Sequence, residues 1–454
     1  MVQLRSFLHA VVAATLYTLA YAIPAGVQER GTSVLPTDDA FYSVPSNVQD
    51  YAPGSIIRVR KPPSPIAALG LAPANIEDAW QILFRTNDNL DNATATVLTV
   101  LVPHKADFSK LLSYQVAEDA AYANCAPSYA FQLKSATSGF LGTIITQAEL
   151  LLIESALARG WVVIVPDHEG PSGAFLANKL AGQATLDGVR AALNSANTTG
   201  IAKDPTIALW GYSGGSLASA FAAELQPSYA PELKIAGIAL GGTVPSIPPV
   251  ITSTDSTAKA GLIPTGMLGL AHQYPELQEI LDGQILPEFK DSFDKVVRQC
   301  FVADILSFLN KNITAMVRDA GVLGREPAAS ILAANALGKQ TPTIPLFVYK
   351  AVRDEVSPVS DTDALVANYC SRGATVTYQR DMTSDHGGLA IVGAAKALSW
   401  LIDVMNNKPA AEKCSTQTVV SSLFSKEAFE VFDDIIRNAL LGLLGQPIGP
   451  SFIG

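Results

Sequence analysis

Cysteine is scarce in this chain. There are four in 454 residues, Cys125, Cys300, Cys370 and Cys414, and no C-x-x-C pair among them. That spacing argues against a thiolate zinc site or a dithiol redox centre. No H-x-x-x-H string occurs either, so the usual helical metal motif is missing. Runs of basic residues are absent, and Lys+Arg 31 against Asp+Glu 41 gives a net charge of −10. A nucleic-acid partner is therefore not expected, since phosphates would be repelled. Charged residues make up only 16% of the chain and hydrophobic ones 48%, with 33 Gly and 28 Pro. This composition excludes a disordered, collagen-like or coiled-coil protein. Beyond the N-terminus no apolar run could span a bilayer. The best, 439–444, is broken off by Gln446 and Pro447, far short of the ~20 residues required, so stable membrane insertion is not expected. No internal repeat is visible, and the length suits one large domain with an insertion, or two domains.

The first residues read as a secretory signal: Arg5 as the positive region, an apolar stretch from Phe7 to Leu19, and Ala20-Tyr21-Ala22 as cleavage site. A secreted, extracellular protein is the expectation. An even number of cysteines suits two disulfides in an oxidising compartment, with three possible connectivities that spacing does not separate. Asn92, Asn197 and Asn312 each open an N-x-T sequon and are candidate glycosylation sites.

Short β-branched runs alternate with Ala/Leu-rich stretches, the βαβ pattern of a mostly parallel sheet. Strands are predicted at 96–102, 112–116, 161–166, 207–210, 235–240, 344–350 and 375–379, with helices at 147–158, 180–194, 216–225 and 389–405. Residues 43–61, rich in Pro and Ser, read as an extended arm. Between the strands near 240 and 344 only helical patterns occur, at 275–281, 293–308, 313–320 and 328–337. A βα connection needs only a few residues, so this stretch is an inserted helical cap or lid, placed after a strand's C-terminal end where open α/β sheets bind ligands. The expected organisation is signal 1–22, core 23–240, cap 241–342 and core 343–454.

Gly211-Tyr212-Ser213-Gly214-Gly215 matches G-x-S-x-G, a weak pattern alone. Here it follows a buried-strand run and precedes a helix-former run, the setting of a nucleophile elbow. A Cβ at Gly211 or Gly215 should clash there, and the Gly214 N–H lies where a developing oxyanion can accept it. A serine hydroxyl needs a base. In the order Ser, acid, His, the base is His386, in the loop after the last predicted strand, rather than His272 in the insertion. The acid is Asp354, just past the strand at 344–350, with Glu355, Asp361, Asp363, Asp381 and Asp385 as competitors. An acid on its own strand end has its geometry fixed independently. The second oxyanion donor should come from an earlier loop, but no His-Gly-Gly-Gly exists; the loop in the corresponding place is 113–120, with a solvated acidic turn as the plain alternative, and the residues alone do not assign the donor. Asp167-His168-Glu169 invites a metal reading, yet adjacent residues do not converge on one ion from regular structure, so a polar loop is expected and no metal.

Taken together, Tyr122–Ser128, Pro166–Pro171, Gly211–Gly215, Arg353–Val356 and Asp385–Gly387 resemble, in this order, the fungal secretory lipases of the Candida antarctica lipase A type. The resemblance covers nearly the whole chain after residue 22. It implies an α/β-hydrolase fold with a helical lid, and a triad at Ser213, Asp354 and His386. It also implies oxyanion donors from Asp119 and Gly214, and disulfides Cys125–Cys300 and Cys370–Cys414. Members cleave triacylglycerols and other carboxylic esters without a cofactor, so the implied partner is a lipid ester at an oil–water interface. One departure from the family pattern is His168, where many members carry Tyr.

Overall fold

The computed structural model describes residues 34–68, 72–133, 135, 143–408, 411 and 413–425. The expected signal at 1–22 and the apolar stretch 439–444 lie outside the described residues. Ten strands form one sheet: β1 (Ile56–Arg60), β2 (Asp78–Asn87), β3 (Ala93–Val102), β4 (Asp107–Gln115), β5 (Trp161–Pro166), β6 (Thr206–Tyr212), β7 (Ile235–Gly241), β8 (Leu346–Ala351), β9 (Val376–Asp381) and β10 (Ser415–Val419). Their order is β1-β2-β3-β5-β4-β6-β7-β8-β9-β10. β1, β2, β3 and β5 pair antiparallel, and every pairing from β5–β4 to β9–β10 is parallel.

Period-two alternation divides the central strands between two cores. Leu112, Tyr114, Val163, Trp210, Phe347 and Tyr349 face α1 (Ile144–Leu157) and a C-terminal helix (Ala394–Met405). Leu111, Ile164, Leu209, Ile238 and Val348 face α2 (Asn178–Asn194), α3 (Gly214–Tyr229) and a helix at Val359–Ser371. Helices on both faces leave the C-terminal strand ends open, and those ends carry the site.

Between β7 and β8 the described chain is helical: α4 (Ile247–Thr254), α5 (Leu262–Ala271), α6 (Pro275–Gln284), α7 (Lys290–Val296), α8 (Phe301–Ser307) and α9 (Ala328–Ala334). This block has its own apolar cluster around Met267, Leu270, Leu277, Phe293 and Phe308. Cys125–Cys300 ties it to the loop after β4, and Cys370–Cys414 ties the helix α10 (Val359–Ser371) to the chain entering β10.

Several expectations need correction. The arm at 43–61 ends in strand β1, which is hydrogen-bonded to β2, a strand that sequence reading missed. Edge strand β10 is almost wholly exposed and polar, so it carries no alternation to detect. The helix expected at 293–308 is two, broken at Cys300, whose extended backbone is bonded to Cys125. The helix expected at 313–320 is a single turn at Thr314–Met316, followed by a β-bridge between Val317 and Ile285. The helix expected at 389–405 is α11 (His386–Val392) and α12 (Ala394–Met405), bent by 46° at Gly393. α4 is not among the expected helices; it opens with Ile247-Pro248-Pro249, and proline is well suited to a first helical turn.

The interior holds many carboxyls. Burial raises Glu149 and Glu154 to about 8, and Asp119, Asp167 and Asp304 to about 7. These groups bind protons more tightly in the folded than in the unfolded chain. Their stabilisation is complete below about pH 4 and is lost as pH rises through 7–8. Buried His168, lowered to about 4, opposes them below about 6.5. Five carboxyls outweigh one imidazole, so the melting midpoint should be higher near pH 5 than at pH 8.5, by on the order of 5 °C. A scanning-calorimetry series showing equal or rising midpoints over that interval would contradict this.

Candidate active site

The chain leaves β6 at Tyr212 and starts α3 at Gly214, with Ser213 between them at φ +52°. This left-handed backbone is costly for a residue with a side chain and is held by close crossing of the two elements. A Cβ on Gly211 would lie 2.2 Å from Gly215 O, and one on Gly215 would lie 1.9 Å from Gln115 O. The Ser213 N–H donates to Gly241 O at 2.9 Å, fixing the turn to β7.

Opposite Ser213 stands His386, first residue of α11, whose N-cap Asp385 accepts Gly388 N–H at 2.7 Å. Nδ1 of His386 is 2.7 Å from Asp354 Oδ2 and Nε2 is 2.8 Å from Ser213 Oγ. A carboxylate only accepts, so Nδ1 carries the proton and Nε2 accepts from the Ser213 hydroxyl. The His386 backbone is held as well: its N–H donates to Glu355 Oε2 at 2.8 Å, and its carbonyl accepts the Tyr212 hydroxyl at 2.5 Å.

Asp354 follows β8 with its carboxylate fully buried. Oδ1 accepts Val356 N–H and Ser357 N–H at 2.9 and 2.8 Å; Oδ2 accepts His386 Nδ1–H and, at 2.9 Å, the ammonium of Lys350. Burial works against its charge. The hydrogen bond and charge of His386, then the charge of Lys350, outweigh it and hold the carboxyl well below the usual carboxylate range. The competing acids lie elsewhere. Asp363 accepts from the Tyr378 hydroxyl, Asp381 braces Thr383, Ser384 and Ser422, Asp361 is in the first turn of α10, and Asp385 caps α11. His272 is an exposed residue just past α5, with its ring near Gly173 O.

The loop after β4 is buried, not solvated as its acidity suggested. Glu169 is the reason: its carboxylate accepts Asp119 N–H at 3.1 Å and Ala120 N–H at 3.3 Å. Glu149 accepts Ala117 N–H, and His168 Nε2 is 2.8 Å from Val116 O. Asp167 is engaged with Ser128, so the three consecutive polar residues 167–169 point to three different partners. With its amide taken, Asp119 meets the elbow through its side chain. A Cβ on Gly214 would lie 1.9 Å from Asp119 Oδ1, an oxygen that is buried and has no hydrogen-bond partner. Burial raises Asp119 to about 7.

Helix α5 of the helical block comes near this site through Phe175 and Leu176. Gly266 and Gly269 of α5 pack on Leu176 and Phe175, and the Phe175 ring reaches Gly214. A hydroxyl activated by an imidazole, beside a helix N-terminus with apolar side chains nearby, can attack an acyl carbonyl and stabilise the resulting oxyanion. Sequence reading missed Tyr212, Glu169 and Lys350. Lys350 carried a signal, as the one cation in the otherwise apolar run Leu346–Ala351.

Residues 132–413 match the family described as Secretory lipase. Lipase A of Arthroderma benhamiae is 46% identical over 418 residues, covering 91% of this chain and 89% of its own. Lipase 9 of Candida albicans is 36% identical over 427 residues, covering 92% and 93%. The crystal structure of Candida antarctica lipase A superposes with a TM-score of 0.79 at 29% identity, over 92% of this chain and 99% of its own. With a family match over most of its length and a relative this similar across nearly all of it, the chain belongs to the secretory lipase family and is a carboxylic ester hydrolase of the α/β-hydrolase fold.

Proposed function

We propose that the protein is a secreted lipase that hydrolyses triacylglycerol and other carboxylic esters through an acyl-enzyme formed on Ser213. The observation that carries this reading is the unbroken relay from Ser213 Oγ through both nitrogens of His386 to Asp354, at 2.8 and 2.7 Å. His386 takes the Ser213 proton during attack and returns it to the leaving alcohol. A water molecule then repeats the cycle and releases the acid. Asp354 holds the ring in its productive tautomer and offsets the charge of the imidazolium. Gly214 N–H is one oxyanion donor. The second is the Asp119 carboxyl in its protonated form, since its amide is bonded to Glu169 and its unpartnered oxygen adjoins Gly214. An apolar site can keep a carboxylic acid neutral for this use.

Residues 241–342 act as the cap, and α5, with Phe175 and Leu176 beneath it, lines the acyl side. Fatty acyl groups on a lipid surface are the substrate that such a roof favours. Cleavage after Ala22 would release the chain to the outside, with glycans at Asn92, Asn197 and Asn312.

Ser213→Ala and His386→Ala should each lower kcat on a chromogenic ester by ~10⁴-fold or more; turnover surviving Ser213→Ala would show the nucleophile lies elsewhere. Asp119→Ala should cost about 10²-fold in kcat, whereas Asp119→Asn, which keeps a donor, should cost much less. Because Asp119 donates only when protonated, kcat of the wild type should decline as pH rises through about 7. Asp119→Asn should abolish that decline; equal effects of Ala and Asn would place the second donor in the backbone. On long-chain esters the rate should rise once substrate exceeds its solubility, and a rate indifferent to an oil interface would favour a soluble esterase.

A further inference from the structure

Lys350 is the second to last residue of β8, and its side chain is completely buried. On the same sheet face Leu346 and Val348 enter the apolar core, so the ammonium ends a hydrophobic row. Removing a charge from water is strongly unfavourable, and a buried ion pair is a poor source of stability compared with apolar packing. Its two partners show what it does instead. Nζ donates to Asp354 Oδ2 at 2.9 Å and to Thr243 O at 2.9 Å. Oδ2 is the same oxygen that accepts Nδ1–H of His386, and Thr243 lies at the start of the 241–342 segment, where its carbonyl also accepts the Thr362 hydroxyl.

We propose that Lys350 is a positioning residue of the reaction: it clamps Asp354 against the stem of the cap and, by disfavouring a second positive charge on the relay, extends activity into acidic solution. The proposal rests on the reading of Ser213, His386 and Asp354 as the reacting set. The groups facing that relay are Asp354, Glu355 on the His386 amide, Tyr212 on the His386 carbonyl, Asp385 as the cap that precedes His386, and Lys350, itself faced by Asp361. Of these only Lys350 is a cation; Arg353, the nearest basic residue along the chain, is exposed. Burial pulls the Lys350 ammonium down from its ordinary range, and Asp354 opposes that pull. An acidic partner alone strengthens the imidazolium of His386. A cation sharing the carboxylate opposes that second positive charge by Coulomb repulsion.

The test is the pH dependence of kcat/KM on a soluble ester for Lys350→Met and for the nearly isosteric Lys350→Gln, with rates expressed per folded molecule. In both variants the acid limb should move upward by about one pH unit, with kcat reduced about tenfold and KM within about twofold, since Lys350 does not touch substrate. An acid limb that stays in place while the whole profile scales down would overturn the proposal. Should both single variants fail to accumulate, Lys350→Met combined with Asp354→Asn removes both charges and decides the matter. Action through Asp354 requires that pair to fold and to keep the residual rate of Asp354→Asn within about twofold. Failure of the pair to fold would assign Lys350 to packing alone. Turnover surviving Ser213→Ala is a separate outcome, which sinks the underlying reading and not this residue's part in it.

Discussion

The crossing of β6 and α3 at Ser213 is the constraint on which the rest of the site depends. At this point the two elements approach so closely that neither Gly211 nor Gly215 has room for a methyl group. The backbone of Ser213 is therefore held in a left-handed conformation, and its hydroxyl stands clear at the sheet's C-terminal edge. The partners arrive from strand ends on the same edge, Asp354 after β8 and His386 after β9. Each is braced: Asp354 by its own turn, His386 by Glu355, Tyr212 and the cap Asp385. Glu355 belongs to the same turn as Asp354, so that turn positions both the acid and the backbone of His386, while Tyr212 and Asp385 hold His386 from elsewhere.

Two sets of buried carboxyls lie within this one site, and their surroundings drive them in opposite directions. Asp354 meets four donors, so it remains charged and anchors the imidazole. Glu118, Asp119 and Glu169 lie in the loops on the other side of the elbow, where burial pushes all three pKa values upward and neighbouring carboxylates add to the rise at Glu118 and Glu169. Oε2 of Glu118 and Oδ1 of Asp119 lack hydrogen-bond partners. In the proposed mechanism the acid beside the strained serine serves as a donor and the ionised acid beside the imidazole as an orienter. The same residue type thus fills two roles through differences in desolvation and pairing.

The central part of the fold was legible because parallel strands covered on both faces are short continuous apolar runs. β5, at 161–166, has the limits that the sequence suggested. Edge strands were not legible, since β10 is polar and exposed and β1 is only half-buried. Cap helices were blurred by Pro248 and Pro249 and by Cys300, where tertiary contacts and a cross-link override local pattern. At the site, Ser213, His386 and Asp354 could be named because chain order and strand ends limit the choices. The brace around Asp119 could not. Its burial depends on Glu169, fifty residues away in sequence, and no local pattern distinguishes a buried acidic turn from a solvated one.

The central claim is that His386 and Asp354 make Ser213 a nucleophile. Labelling the purified protein with a fluorophosphonate and mapping the modified peptide tests it most directly. The account predicts one adduct, on the oxygen of Ser213, whose formation is nearly abolished by His386→Ala. An adduct on another residue, or labelling of Ser213 undiminished without the imidazole, would contradict it.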